Sequence, residues 1–346
     1  MFFVLSVNVM KGEKNMFNRL KTLFLITAAA TIAATTAFAD ANEIKFNRKL
    51  KQATTQPLLY KIGDLLPVIA AKHGIKDLKV TYVDIADDTV ANQEMLVGNI
   101  DVNYGGIGTF AYIWDKDPTK VKVISGVQTL ENWLVCANPS IKTMNDIKAD
   151  TKIAMKAING GDHIVLREYA MAAYGPKESE KLNSNIVVMA RDAILATMST
   201  EKPTVDCAIL GSPGQNILTK NGKAHVVAKP DNKVSFGYPT ALYATTKWLE
   251  ANPKLAQALF EAEVEAIKAY EKEPLPIIEE YIKRDNIPNV TAKEVYDMKV
   301  ENRDVYDTSL IPGFATVQIM IDSGVLTGPN KKIGADAIYN RSWVKH

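Results

Sequence analysis

The sequence predicts an α/β protein of two similar lobes, each a mixed sheet flanked by helices, and three observations predict it. The first is the stretch ANQEMLVGNIDVNYGGIGTF at residues 91–110. It reads as a helix ending at Gly98, a short buried strand over residues 100–104, and a glycine turn at Gly105 and Gly106 that opens a second helix. The second is that this pattern recurs in EKPTVDCAILGSPG at residues 201–214, with Asp101 five residues before Gly106 and Asp206 five before Gly211. Upstream, an apolar strand at residues 80–83 leads to a helix cap at Asp88, and one at residues 186–189 leads to Asp192. An ordered series of matching features marks an internal repeat. The third observation is a pair of extended stretches, residues 132–137 and 233–245, that carry the chain from one copy to the other and back. Two crossings predict a two-segment hinge and discontinuous lobes, residues 40–136 with 239–346 against residues 137–238.

Residues 16–39 have the order of a secretory signal: Arg19 and Lys21, a modest apolar run, then Ala37, Phe38 and Ala39. The run is far short of the ~20 apolar residues that a membrane span needs. Residues 1–15 read as an upstream extension before a second Met, and residue 40 is Asp, so no lipid-bearing cysteine follows the cleavage point. The expected location is therefore a periplasm, without a lipid anchor. Removing residues 1–39 takes away Lys11, Lys14, Arg19, Lys21 and Glu13, which turns the formal +2 into −1. That near-neutral balance gives no electrostatic footprint for nucleic acid.

Cys136 and Cys207 lie in WLVCAN and VDCAIL, apolar strand contexts in which a cysteine is most simply a small buried hydrophobe, although an oxidising compartment would allow them to pair. With no CxxC and only four His, no metal site is expected.

In the first copy, Thr54, Thr55 and Gln56 precede Pro57, which suits the first position of a helix. Helix starts at a sheet's carboxyl edge point backbone N–H groups at ligands, which makes these residues binding candidates. In the second copy the loop of residues 159–163 brings Gly161, Asp162 and His163 to the same edge. It lacks the GK[ST] ending of a nucleotide loop. Asp162 reads as a plain cap, and His163 as a residue that either packs or faces a ligand. Arg191 leaves the end of a strand, where a guanidinium suits an anionic group. From Trp248 onward helices dominate and read as scaffold, with residues 261–265 as a solvated acidic face.

The segments ANQEMLVGNIDVNYGGIG, PSIKTMNDIKADTKIAM, PTVDCAILGSPG and YPTALYATTKWLEANPKLAQALFEAEVEAIKAY, in this order, resemble the periplasmic solute-binding proteins of ABC importers in the nitrate/sulfonate/taurine group, whose relatives bind a thiamin pyrimidine precursor. The resemblance implies a type II periplasmic-binding fold whose lobes close over a small molecule and then dock, as a monomer, on a permease in the inner membrane. Carried over by position, it implies binding residues Thr54, Thr55, Gln56, Gly105, Gly106, Thr109, Gly161, Asp162, His163, Arg191, Gly211 and Ser212, with no cofactor. The implied ligand is a small organic acid such as a sulfonate or taurine. Asp162 departs from the pattern, because a carboxylate at a helix start competes with an anion, and this leaves room for a ligand carrying an amine or for a neutral or aromatic one. An enzyme of similar fold is disfavoured, since no Ser/His/Asp order, carboxylate pair or cysteine-rich segment is present. A ligand-binding partner of a membrane sensor would share every feature read so far.

Overall fold

The protein is described by a computed structural model in which residues 42–49, 57–85, 87–231, 237–287 and 290–339 are placed. The expected signal segment and the candidates Thr54, Thr55 and Gln56 lie outside these described residues. Strands β1 (Glu43–Arg48), β2 (Lys79–Asp84), β3 (Val102–Gly106), β4 (Val121–Leu130), β10 (Tyr238–Thr245) and β11 (Val305–Tyr306) form one sheet in the order β11-β4-β10-β3-β1-β2. Strands β5 (Asn132–Cys136), β6 (Ile153–Met155), β7 (Ile186–Val188), β8 (Cys207–Gly211) and β9 (His225–Ala228) form a second, in the order β7-β6-β8-β5-β9. In each sheet three parallel strands are followed by an antiparallel one, β10 beside β3 and β5 beside β8.

Strand register makes the repeat quantitative. Phe46 lies opposite Val102, and Ile153 lies opposite Cys207. Position 46 of the first copy therefore corresponds to 153 of the second, Lys45 to Lys152, and Lys49 to Lys156. The two aspartates that first marked the repeat do the same work. Asp101 Oδ2 accepts the N–H of Lys45 at 2.8 Å, and Asp206 Oδ2 accepts that of Lys152 at 2.9 Å. Each carboxylate thus holds the start of the first strand of its copy against the third.

Alternating strand residues face opposite sides of each sheet. Leu242 and Ala244 pack with the helices Pro57–Lys72 and Pro253–Lys272, while Ala241 and Tyr243 pack with Ile107–Lys116 and Ile311–Asp322. In the second sheet Leu134 and Ile209 face the helix Gly161–Tyr174, and Trp133, Val135 and Leu210 face Arg191–Met198.

Several sequence expectations change. Gly105 and Gly106 are the last residues of β3 and not a turn, and the helix begins at Ile107 without a loop. The cap of the helix Asp88–Val97 is Asp87, whose Oδ1 accepts from Thr89 and Val90, so Asp88 is released for another role. Strand pairing puts residues 132–136 wholly in the second sheet, which leaves Glu131 as the residue between the sheets. Glu263, expected on a solvated face, is fully buried and accepts a hydrogen bond from Ser125 Oγ on β4. Cys136 and Cys207, opposite one another on β5 and β8, are joined by a disulfide.

Candidate functional site

The carboxyl ends of the parallel strands of both sheets converge on a cavity of about 50 Å³. The first sheet contributes Lys49, Tyr104, Gln128, Tyr238 and Thr240 to its wall, and the second contributes Asn132, Lys156, Asp162, Arg191 and Ser212. The repeat explains the chemistry of this wall. Lys49 and Lys156 follow the first strand of their respective copies, at equivalent positions by register. Asp88 and Arg191 each open the helix after the second strand, so a carboxylate in one lobe stands where a guanidinium stands in the other.

On the first side, Lys49 Nζ meets Asp88 Oδ1 at 2.5 Å, and both side chains are buried. Asp88 Oδ2 also accepts from the N–H of Gly106 at 3.1 Å and from the Tyr238 hydroxyl. Burial by itself would raise the Asp88 pKa; the charge and hydrogen bond of Lys49, with the Tyr238 hydrogen bond, outweigh burial and hold it below the usual carboxylate value. Burial, reinforced by the neighbouring Asp88 charge, pushes the Tyr238 phenol well above 10, so it stays a donor.

The glycines of the two copies are required by this tyrosine. A Cβ on Gly106 would lie 2.4 Å from the Tyr238 hydroxyl oxygen, and one on Gly161 would lie 2.1 Å from its ring. Tyr238 therefore fills the space between the end of β3 and the start of the helix Gly161–Tyr174, and any larger residue at either position would push it out.

On the second side, Asp162 is buried and caps nothing, contrary to expectation. Its Oδ1 accepts from Asn132 Nδ2 at 3.1 Å and its Oδ2 from the N–H of Lys156 at 3.4 Å. Arg191 is half-buried and donates through Nη2 to the Gly211 carbonyl at 3.3 Å. Its Nε is buried with no hydrogen-bond partner among the described residues. Burial lowers the Arg191 pKa, against the opposing pull of Asp162 and Asp192. A Cβ on Gly211 would meet Asn132 Oδ1 at 2.6 Å and the Arg191 guanidinium at 3.3 Å, so glycine here lets the side chain lie across the strand end.

The charges that line the cavity are unevenly paired. Lys49 is matched by Asp88, Glu131 by Arg303 at 2.5 Å, and Asp304 by Lys299 at 3.8 Å. Among the described residues neither Lys156 nor Arg191 has an ion pair, although Asp162 and Asp192 both act on Arg191 from a distance.

Of the sequence candidates, Gly161, Asp162, Arg191, Gly211 and Ser212 line the cavity. Gly106 does not line it but gives its N–H to Asp88 and lies against Tyr238, and Gly105 packs against Asn103 and Tyr243. Thr109 is buried, its hydroxyl bonded to the Gly106 carbonyl at 2.7 Å. His163 points away. Its Nδ1 accepts the N–H of Asn159 and its Nε2 meets Asn183 Oδ1, both at 2.9 Å, and burial lowers its pKa. It ties the loop to the body of its own lobe.

Lys49, Gln128, Lys156, Tyr238 and Asp304 were missed. The two lysines had a signal: Lys45 and Lys49 repeat as Lys152 and Lys156 with the same spacing. Asp304 sits just after the helix Ala292–Glu301, in the region read as scaffold.

No protein-family model matches the sequence, and no curated protein matches it. Solved structures do match. The alkanesulfonate-binding protein of Xanthomonas axonopodis pv. citri, bound to MOPS, is 15% identical with a TM-score of 0.65, covering 87% of this chain and 99% of its own. The chain has the periplasmic-binding-protein fold. The periplasmic nitrate-binding protein of Synechocystis PCC 6803 shares that fold at 15% identity, with a TM-score of 0.58 and coverage of 84% of each chain. So does the ligand-binding component of an ABC-type import system from Staphylococcus aureus, with zinc bound, at 14% identity, a TM-score of 0.63, and coverage of 87% and 97%. Binding proteins of this fold thus serve chemically different ligands, and the ligand has to be argued from the site. Among the described residues no cluster of three or more His, Cys, Asp or Glu could hold a metal ion, and no helix is long and apolar enough to cross a membrane.

Proposed function

We propose that this chain is the extracytoplasmic binding component of an importer, which captures a small organic acid of the sulfonate or taurine type between its two lobes and delivers it, as a monomer, to a membrane permease. The observation that carries the reading is the pair of cations, Lys156 and Arg191, that reach the cavity without a carboxylate partner among the described residues. An acidic head group completes them: a guanidinium fork matches the oxygens of a sulfonate or carboxylate, and an ammonium adds a second charge. Asp162, on the same wall, suits an amine at the other end of a zwitterion.

The lobes of this reading are the two sheets with their helices, so residues 132–136, which the sequence boundaries of 40–136 with 239–346 against 137–238 gave to the first lobe, go with the second. Contacts that span the two sheets' helices support a closed state: Arg167 donates to the Tyr112 hydroxyl at 2.8 Å, Thr316 to Glu168 at 3.0 Å, and Gln215 and Asn216 to Asn302 at 3.1 and 3.0 Å. A ligand that binds this state more tightly than an open one drives closure.

Melting the purified protein with a panel of small sulfonates and carboxylates, beside neutral amides and amines of the same size, tests the reading. An acid present at a hundred times its dissociation constant adds about 2.7 kcal/mol to the folded state, a shift of several degrees. A panel in which only neutral or purely cationic solutes raise the melting temperature contradicts it.

A further inference from the structure

We infer that Gln128 selects the ligand, and that the ligand therefore carries, beside its acidic head, a group able to donate a hydrogen bond, such as a primary amine or hydroxyl. This rests on the acid-binding reading and narrows it. Gln128 sits on β4, where it pairs with Thr240 of β10 and Tyr306 of β11, so its backbone is fixed from both sides. The residue is 3% exposed and lines the cavity. Neither its Oε1 nor its Nε2 has a hydrogen-bond partner among the described residues.

A buried carboxamide with both ends unpaired is costly to leave so. Its neighbours do not relieve it. Thr240 spends its hydroxyl on the Gln128 backbone carbonyl at 3.2 Å, and Asp304 is turned to Lys299 and to the N–H of Glu131 at 3.5 Å. A ligand entering the cavity thus meets one idle acceptor and one idle donor on the first sheet, across from Arg191 and Lys156 on the second. Nitrate or a simple alkanesulfonate offers acceptors only and would leave Oε1 unpaired. An acid with an amine or hydroxyl supplies the donor that Oε1 needs, while an oxygen of the acid or hydroxyl accepts from Nε2. Sites built to hydrogen-bond a ligand group reject the analogue lacking that group strongly, because the protein's own polar atoms are left bare.

Three two-carbon sulfonates that differ only at the terminal group make the test: taurine, isethionate and ethanesulfonate, titrated calorimetrically into wild type and Gln128→Leu, with both ligand-free proteins also melted. The expected result is that wild type prefers taurine or isethionate to ethanesulfonate by at least about tenfold. Gln128→Leu should shrink that preference to within about threefold and melt no lower than wild type without ligand, since it removes a buried unpaired amide. A variant that keeps the wild-type preference, or that melts several degrees lower without ligand, overturns the assignment. Should none of the three sulfonates bind wild type, the sulfonate form of the acid reading falls while the melting comparison still decides Gln128: an equal or higher melting temperature supports a ligand-facing amide, and a lower one makes it part of the fold.

Discussion

Arg191→Ala is expected to weaken binding of a small acid at least about thirtyfold while leaving the ligand-free melting temperature almost unchanged. The fold asks little of this side chain, which among the described residues makes a single hydrogen bond, Nη2 to the Gly211 carbonyl at 3.3 Å. What it withholds is larger. Its buried Nε has no partner among the described residues, and no carboxylate pairs with it there. Truncating one partner of a desolvated, hydrogen-bonded charge pair costs ~2–5 kcal/mol, and the lower end of that range is already about thirtyfold in affinity. Arg191→Lys should recover part of the loss, because an ammonium keeps the charge but cannot make the fork. Calorimetry of both variants checks this. Wild-type affinity in Arg191→Ala would make the residue a brace for β8 and remove the main support for an acidic ligand.

Lys49→Met is expected to cost stability instead, by ~3–5 kcal/mol near neutral pH, because it strands a buried carboxylate. Asp88 is 5% exposed in its side chain and lies 2.5 Å from the lysine. With Lys49 in place its pKa is depressed. The pair's contribution is then fully present above the ordinary carboxylate range and fades as pH falls through the depressed value. Without the lysine, burial raises the Asp88 pKa, so the variant's deficit is greatest at neutral pH and narrows once Asp88 can take up a proton. Melting temperatures of both proteins from pH 7 down to about pH 4 should therefore converge. A gap that is small at neutral pH, or constant across the range, would mean that Lys49 does not hold Asp88.

These two residues mark what the sequence does and does not make legible. The repeat could be read because each copy writes it locally: an Asp, a short apolar strand and a glycine at fixed spacing, all within one connected stretch. Arg191 could be read for the same reason, since the end of a strand and the start of a helix are adjacent in the chain. Asp88 was misplaced because Asp87 and Asp88 are both able to cap, and only the backbone decides which of them does. Gln128, Tyr238 and Asp304 carried no local mark. A glutamine in a strand, an aromatic at a strand start and an acid after a surface helix are ordinary in sequence. They become a site only because β4 pairs with β10 on one side and β11 on the other. The glycines misled in an instructive way, since their small size is demanded by a tyrosine more than seventy residues away in sequence rather than by a turn.

The central claim is that an acidic ligand is held between the two lobes against Lys156 and Arg191. A crystal structure of the protein with whichever panel acid most raises its melting temperature tests this most directly. The account predicts the acidic head within hydrogen-bond distance of Arg191 and Lys156, with both lobes in contact with the ligand. Density for the acid on an outer face, with the cavity holding only water, would contradict it.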